Sequence, residues 1–179
     1  MRDLGDYGMA KAGLSNVPEP YRDLIRNLLD AIIEVFGNLL VSVALYGSVA
    51  RGEARADSDV DILIIAEDLP SSRIKRVKLF ERAEDVVESH IAELYGEGIY
   101  VSFSPIILTP EEVKRVPPIL LDMIEDAIIL YDRDYFLNKL LDKVASKLEK
   151  LGAERIRLGR KWYWRLKKDY RLGEVIVIE

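Results

Sequence analysis

The chain has no cysteine, no glutamine and a single histidine. Without cysteine there are no disulfides, no thiolate nucleophile and no cysteine-ligated zinc. No apolar run approaches the ~20 residues of a membrane-spanning helix, so no membrane partner is expected. The opening stretch MRDLGDYGMAKAG lacks the continuous apolar segment of a secretory leader, and a cytoplasmic protein is the expectation. Charged residues make up 32% of the chain, and with Cys and Gln absent that composition leans toward a thermophile.

What is present is enough for one domain with a small appendage: 179 residues, of which 49% are hydrophobic. The net charge of −5 is unevenly spread. Residues 150–171 hold nine Lys/Arg against two acids, a local +7 that leaves −12 on the rest. An acidic body with a basic tail raises the question of an anionic partner for the tail.

Residues 1–17 are Gly-containing and aperiodic and read as a loose arm. Pro18 and Pro20 lead into a helix with Leu24, Leu28, Ile32 and Val35 on one face, stopped at Gly37. Strands are expected near 39–46, 60–66 and 99–108, and a long helix near 72–95 capped by Ser71, with Ile74, Val77, Phe80 and Val87 on one side. The apolar residues of VDILIIA do not alternate, which predicts a strand covered on both faces. Thr109 and Glu112 form a capping-box pair. A helix at ILLDMIEDA, a strand at IILYD and an amphipathic helix over 134–150 follow. A hairpin about Gly159 and a last short strand at EVIVIE complete the chain. The fold class is α+β, a mixed sheet with helices mainly on one side. The body spans 18–131, and 132–179 form a C-terminal helix and basic hairpin extension.

The chemistry concentrates in LYGSVARGEARADSDVDILIIA, residues 45–66. Residues two apart on a strand project to the same face, so Asp59 and Asp61 point together. Two carboxylates that close repel unless a cation sits between them. Hard oxygen donors at that spacing suit Mg²⁺, which commonly takes one or two carboxylates plus phosphate oxygens and water. Gly47 ends the preceding strand and lets backbone approach a ligand closely. If a helix starts there, its N–H groups and the Ser48 hydroxyl face an anion, and Arg51 adds positive charge one turn on.

The stretch GSVARGEARADSDVDILI resembles the signature of the nucleotidyltransferase superfamily that includes DNA polymerase beta. It is most similar to the minimal nucleotidyltransferases of archaea and bacteria. The resemblance implies a nucleotidyltransferase fold. It implies that Gly47 and Ser48 contact phosphate, and that Asp59 and Asp61 hold Mg²⁺ and the nucleoside triphosphate and serve catalysis; Arg51 fits a common family position. The chain departs from the family in one respect. A third carboxylate is expected on the strand after the long helix, and IYVSFSPIIL carries none. Alternation puts Tyr100, Ser102 and Ser104 on one face there instead, with Glu97, Glu111 or Glu112 as loop substitutes that spacing does not favour.

Three functions follow. The leading one is Mg-dependent transfer of a nucleoside monophosphate from a triphosphate to an acceptor hydroxyl on a protein, a small molecule or an RNA end. The alternative is a nucleotide-binding or antitoxin-like partner protein, catalytically weak for want of the third carboxylate. The RNase partners of some minimal nucleotidyltransferases carry an Arg-x(4–6)-His motif; Arg82 to His90 is too wide to be one. The third is RNA binding through the basic tail, where Trp162, Tyr163 and Trp164 sit among Arg and Lys. A hairpin with both tryptophans on the body and charges pointing outward is the favoured reading of that segment. His90 reads as a solvated or packed residue and Asp57 as a turn residue. Asp122, Glu125 and Asp126 read as a solvated helix face that could also supply a general base.

Overall fold

The computed structural model describes residues 10–158 and 161–169. Five strands form one mixed sheet: β1 (Lys11–Ala12), β2 (Leu40–Tyr46), β3 (Val60–Ala66), β4 (Phe103–Leu108) and β5 (Ile128–Asp132), in the order β1-β5-β2-β3-β4. β3 runs parallel to β4 and β1 to β5, and the other pairs are antiparallel. β6 (Glu154–Leu158) and β7 (Lys161–Arg165) make a separate antiparallel hairpin. The helices are α1 (Arg22–Phe36), α2 (Gly47–Ala50), α3 (Arg73–Glu84), α4 (Glu88–Gly96), α5 (Pro110–Lys114), α6 (Ile119–Asp126) and α7 (Phe136–Leu151).

The strand VDILIIA feeds two cores at once. Ile62 and Ile64 join the cluster with α1 and Phe80 of α3, whereas Leu63 and Ile65 join the cluster with Met123 of α6 and Leu141 and Val144 of α7. The unbroken apolar run therefore has the covering on both faces that it predicted. The α+β mixed sheet is as expected, but helices clothe its second face too, because α6 and α7 bring their own apolar stripes to it. None of the helices among the described residues is long and apolar enough to cross a membrane.

Several local expectations needed correction. The second half of the presumed loose arm is structured: Lys11–Ala12 pairs with β5, and Val17 is fully buried. The long helix over 72–95 is broken by a 3₁₀ turn, Asp85–Val87, into α3 and α4. Ser72, not Ser71, flanks the start of α3, with no side-chain cap bond, and Ile74 is 72% exposed. The third strand begins at Phe103 rather than residue 99. Asp57 does lie in a turn, before β3, where Ser58 accepts from the Arg55 N–H at 2.8 Å. The expected final strand at EVIVIE and the turn at Gly159 lie outside the described residues.

Two polar fixtures hold the sheet's surroundings. Arg76 is buried, with Nη1 and Nη2 on the Glu112 carboxylate at 2.6 and 3.0 Å and Nη1 also on the Ile107 carbonyl at 3.0 Å. Glu112 is at the same time the far end of the capping box with Thr109. This fork ties α3 and α5 to the edge strand β4, the strand that carries Ser104. On the other side of the sheet, fully buried Ser42 donates to Asp132, which also accepts from the Leu137 and Asn138 N–H groups at 2.9 and 3.0 Å and so caps α7.

Candidate active site

Three strand ends build one row. Tyr46 closes β2 opposite Asp61 in the antiparallel register, and Asp61 lies opposite Ser104 in the parallel one. One residue before β3, Asp59 accepts from the Ser102 hydroxyl, while the Val60 N–H donates to the Ser102 carbonyl at 2.8 Å. Ser104 in turn hydrogen-bonds the Asp61 carboxylate. The alternation reading thus placed Ser102 and Ser104 correctly against the two aspartates. It misplaced Tyr100, which precedes the strand, is 55% exposed and packs edge-on to Tyr95 at 5.2 Å.

The Gly47 turn is fitted to Asp61. Gly47 has φ +74°, and a β-carbon added to it would lie 2.1 Å from Asp61 Oδ2 and 2.9 Å from Asp61 Cγ. Only a residue without a side chain lets the turn come this close. α2 starts at Gly47, Ser48 is half-buried in it, and the Glu53 N–H returns to the Ser48 carbonyl at 2.9 Å.

The electrostatics of the row are those of an uncompensated pair. Burial first, and then the charge of Asp59, push the Asp61 carboxyl above its ordinary pKa, against the Ser104 hydrogen bond and the Arg51 charge, which pull it down. Burial and the Asp61 charge likewise push the Tyr46 phenol up. Among the described residues no group of three or more carboxylate or imidazole side chains is placed to hold a metal. The donor set is therefore two carboxylates with serine hydroxyls beside them. That set fits one hard divalent cation whose remaining ligands are phosphate oxygens or water. None of the suggested substitute acids completes a cluster, and Glu112 is committed to Arg76 and Thr109.

Arg51 follows α2 and is engaged. Its Nε lies 3.0 Å from Glu53 Oε2 and its Nη1 3.1 Å from Asp126 Oδ2. Asp126 and Glu125, read from the sequence as a solvated face, are instead held by Arg155 of the hairpin. Burial works against the Arg155 charge, and the hydrogen bonds to Asp126 and Glu125 more than offset it, so its pKa stands above the usual arginine value. Trp162 lies under Arg155 and Arg157, at 4.5 and 5.0 Å to the ring centroid. Trp164 packs against the second core. Trp164 faces the body as expected, Trp162 is met by two arginines of its own hairpin, and Arg155 of the basic segment turns to α6. Glu154 takes Arg165 and Lys168. His90 is half-buried and meets Asn27 of α1, Nε2 to Nδ2 at 3.1 Å, as a packed residue would.

A glycine turn at the end of β2 is thus pressed against the carboxylate pair at the start of β3. The family model described as "Nucleotidyltransferase domain" matches residues 25–159, and the chain belongs to that family of enzymes. A curated protein of Methanocaldococcus jannaschii, "Putative protein adenylyltransferase MJ1305", is 33% identical over 145 residues, covering 78% of this chain and 93% of the relative. Among solved structures, a toxin-antitoxin with AMP-PNP is similar at 17% identity and TM-score 0.44, over 70% of this chain and 87% of that one. A "putative nucleotidyltransferase" from Sulfolobus solfataricus is similar at 23% identity and TM-score 0.37, over 62% and 84%.

Proposed function

We propose that the protein transfers a nucleoside monophosphate from a nucleoside triphosphate to an acceptor hydroxyl, with Mg²⁺ as cofactor. Asp59 and Asp61 would hold the cation, and Gly47, Ser48 and Arg51 the phosphates. The observation that carries this reading is the fit of Gly47 to Asp61, because it brings a phosphate-approachable turn and a cation-demanding carboxylate into contact. In the transfer, a bond forms between the acceptor oxygen and the α-phosphorus. The bond from that phosphorus to the bridging oxygen breaks, pyrophosphate leaves and the acceptor loses its proton. When bound, the cation would neutralise charge on the phosphoryl oxygens. The chain's own part is to hold the pair in place: Ser102 orients Asp59, Ser104 orients Asp61, and the glycine turn fixes the distance between phosphate and carboxylate.

The name of the M. jannaschii relative supports ATP as donor and a protein hydroxyl as acceptor, and these are the pair to try first. The test is pyrophosphate release and label transfer from ATP, with Mg²⁺, to candidate proteins. Transfer that requires Asp61 supports the reading, and transfer unaffected by Asp61→Asn refutes it. One observation favours a second reading, a binding module that holds the nucleotide and transfers it slowly: hydroxyls stand where a further carboxylate would complete a second cation site. Pyrophosphate release well below one turnover per bound nucleotide, with every acceptor tried, would select it.

A further inference from the structure

Asp126 is a carboxylate held between two guanidinium groups. From the hairpin, Arg155 Nη2 meets Oδ2 at 2.7 Å and Nη1 meets Oδ1 at 3.2 Å. From the turn after α2, Arg51 Nη1 meets the same Oδ2 at 3.1 Å. Arg155 is fixed independently of Arg51. Glu125 takes its Nη1 at 2.7 Å, Trp162 lies beneath it, and its side chain is only 5% exposed.

Asp126 is itself 10% exposed, so it cannot be left without a counter-charge. With Arg155 in place its charge is met twice. Arg51, 25% exposed, then keeps positive charge to offer on the side of Asp61, whose carboxyl it already influences. Without Arg155, Arg51 would be the guanidinium left on a buried carboxylate. It would be drawn to Asp126 and lost to any phosphate.

We propose that Arg155 is a positioning residue for the triphosphate: by neutralising Asp126 it leaves Arg51 available to the phosphates. This rests on the reading of the Gly47–Asp61 site as the triphosphate site. It also gives one cation of the basic hairpin, Arg155, an anionic partner on the protein's own α6.

The experiment uses the full chain with Mg-ATP and reads KM and kcat for pyrophosphate release, Kd by calorimetry, and Tm. Arg155→Met should raise Kd and KM for ATP about tenfold, the scale of one charge-assisted hydrogen bond, and change kcat less. Asp126→Asn should bind ATP at least as tightly as wild type. The double variant Arg155→Met with Asp126→Asn should recover affinity, because a neutral amide makes no demand on Arg51. Neutralising a buried carboxylate also stabilises the fold, so the rescue is read in Kd at temperatures well below the Tm of every variant. A double variant that binds ATP as weakly as the single one overturns the proposal. Wild-type affinity in Arg155→Met, with affinity abolished in Asp59→Asn, overturns it while leaving the site reading intact. Unchanged affinity in Asp59→Asn removes the site reading and this proposal together. If Arg155→Met does not fold, Asp126→Asn and the double variant decide alone, and weaker ATP binding in both overturns it.

Discussion

Gly47→Ala is the substitution for which the structure gives the most definite outcome. The added β-carbon would sit 2.1 Å from Asp61 Oδ2, where ordinary contact is 3.4 Å or more, so the carboxylate must retreat by about 1 Å. Retreat takes it off Ser104 and away from the turn. A displacement of that size at a reacting centre costs about a hundredfold in rate. The φ of +74° adds strain of about 1–2 kcal/mol for any residue with a side chain. In a chain of this size that is a fall in Tm of roughly 2–8 °C. Gly52→Ala separates the two effects. Gly52 has φ +70°, but its nearest neighbour to an added β-carbon is Pro18 Cγ at 3.9 Å, so it suffers the strain without the collision. Differential scanning calorimetry and ATP-dependent pyrophosphate release on both variants give the comparison. The expected result is a loss of Tm in both, no smaller in Gly47→Ala, with activity lost in Gly47→Ala alone. Equal activity in both would refute the claim that Gly47 is there to admit Asp61.

Two further substitutions probe the neighbourhood. Ser102→Asp or Ser104→Asp would place a third carboxylate beside Asp59 or Asp61 and should raise single-turnover pyrophosphate release more than it raises triphosphate affinity, since a second held cation acts at the chemical step. Wild type already fast, and slowed by both changes, would mean that the serines are the better ligand environment. The hydrogen bond from Arg76 holds the Glu112 carboxyl below its usual 4.5 against the opposing effect of burial, with Thr109 and nearby positive charge adding to the lowering. The stability this pair contributes is present above that value and is lost as pH falls through the depressed folded pKa. The Tm gap between wild type and Glu112→Gln should therefore be constant near neutral pH and close below about pH 4.5. A gap that widens on acidification would contradict the ion-pair account.

The parts of the site written in short-range pattern were legible in the sequence. Asp59 and Asp61 share a face because strand periodicity is two, and the same rule found Ser102 and Ser104 although the strand itself begins only at Phe103. Gly47 announced a close approach, but only the fold shows that Asp61 is what it approaches. Tyr100 failed because alternation was carried past the strand's end. The Asp126 network was not legible at all. Arg51, Asp126 and Arg155 come from three distant segments, and acids on an amphipathic helix look solvated until a hairpin lands on them. Arg76 was missed for a related reason: a long cation in a helix reads as surface unless its carbonyl and carboxylate partners are known. The break at Asp85–Val87 carries no glycine or proline to mark it.

The most direct test of the account is calorimetric titration of wild type, Asp59→Asn and Asp61→Asn with ATP, GTP, CTP and UTP, each with Mg²⁺ and with EDTA. A neutral amide cannot offset the charge of a cation, so each substitution should remove most of the Mg²⁺-dependent part of triphosphate affinity, while the proteins keep a cooperative thermal transition. Mg²⁺-dependent binding that survives unchanged in both variants would contradict the assignment of Asp59 and Asp61, and with it the account of the site.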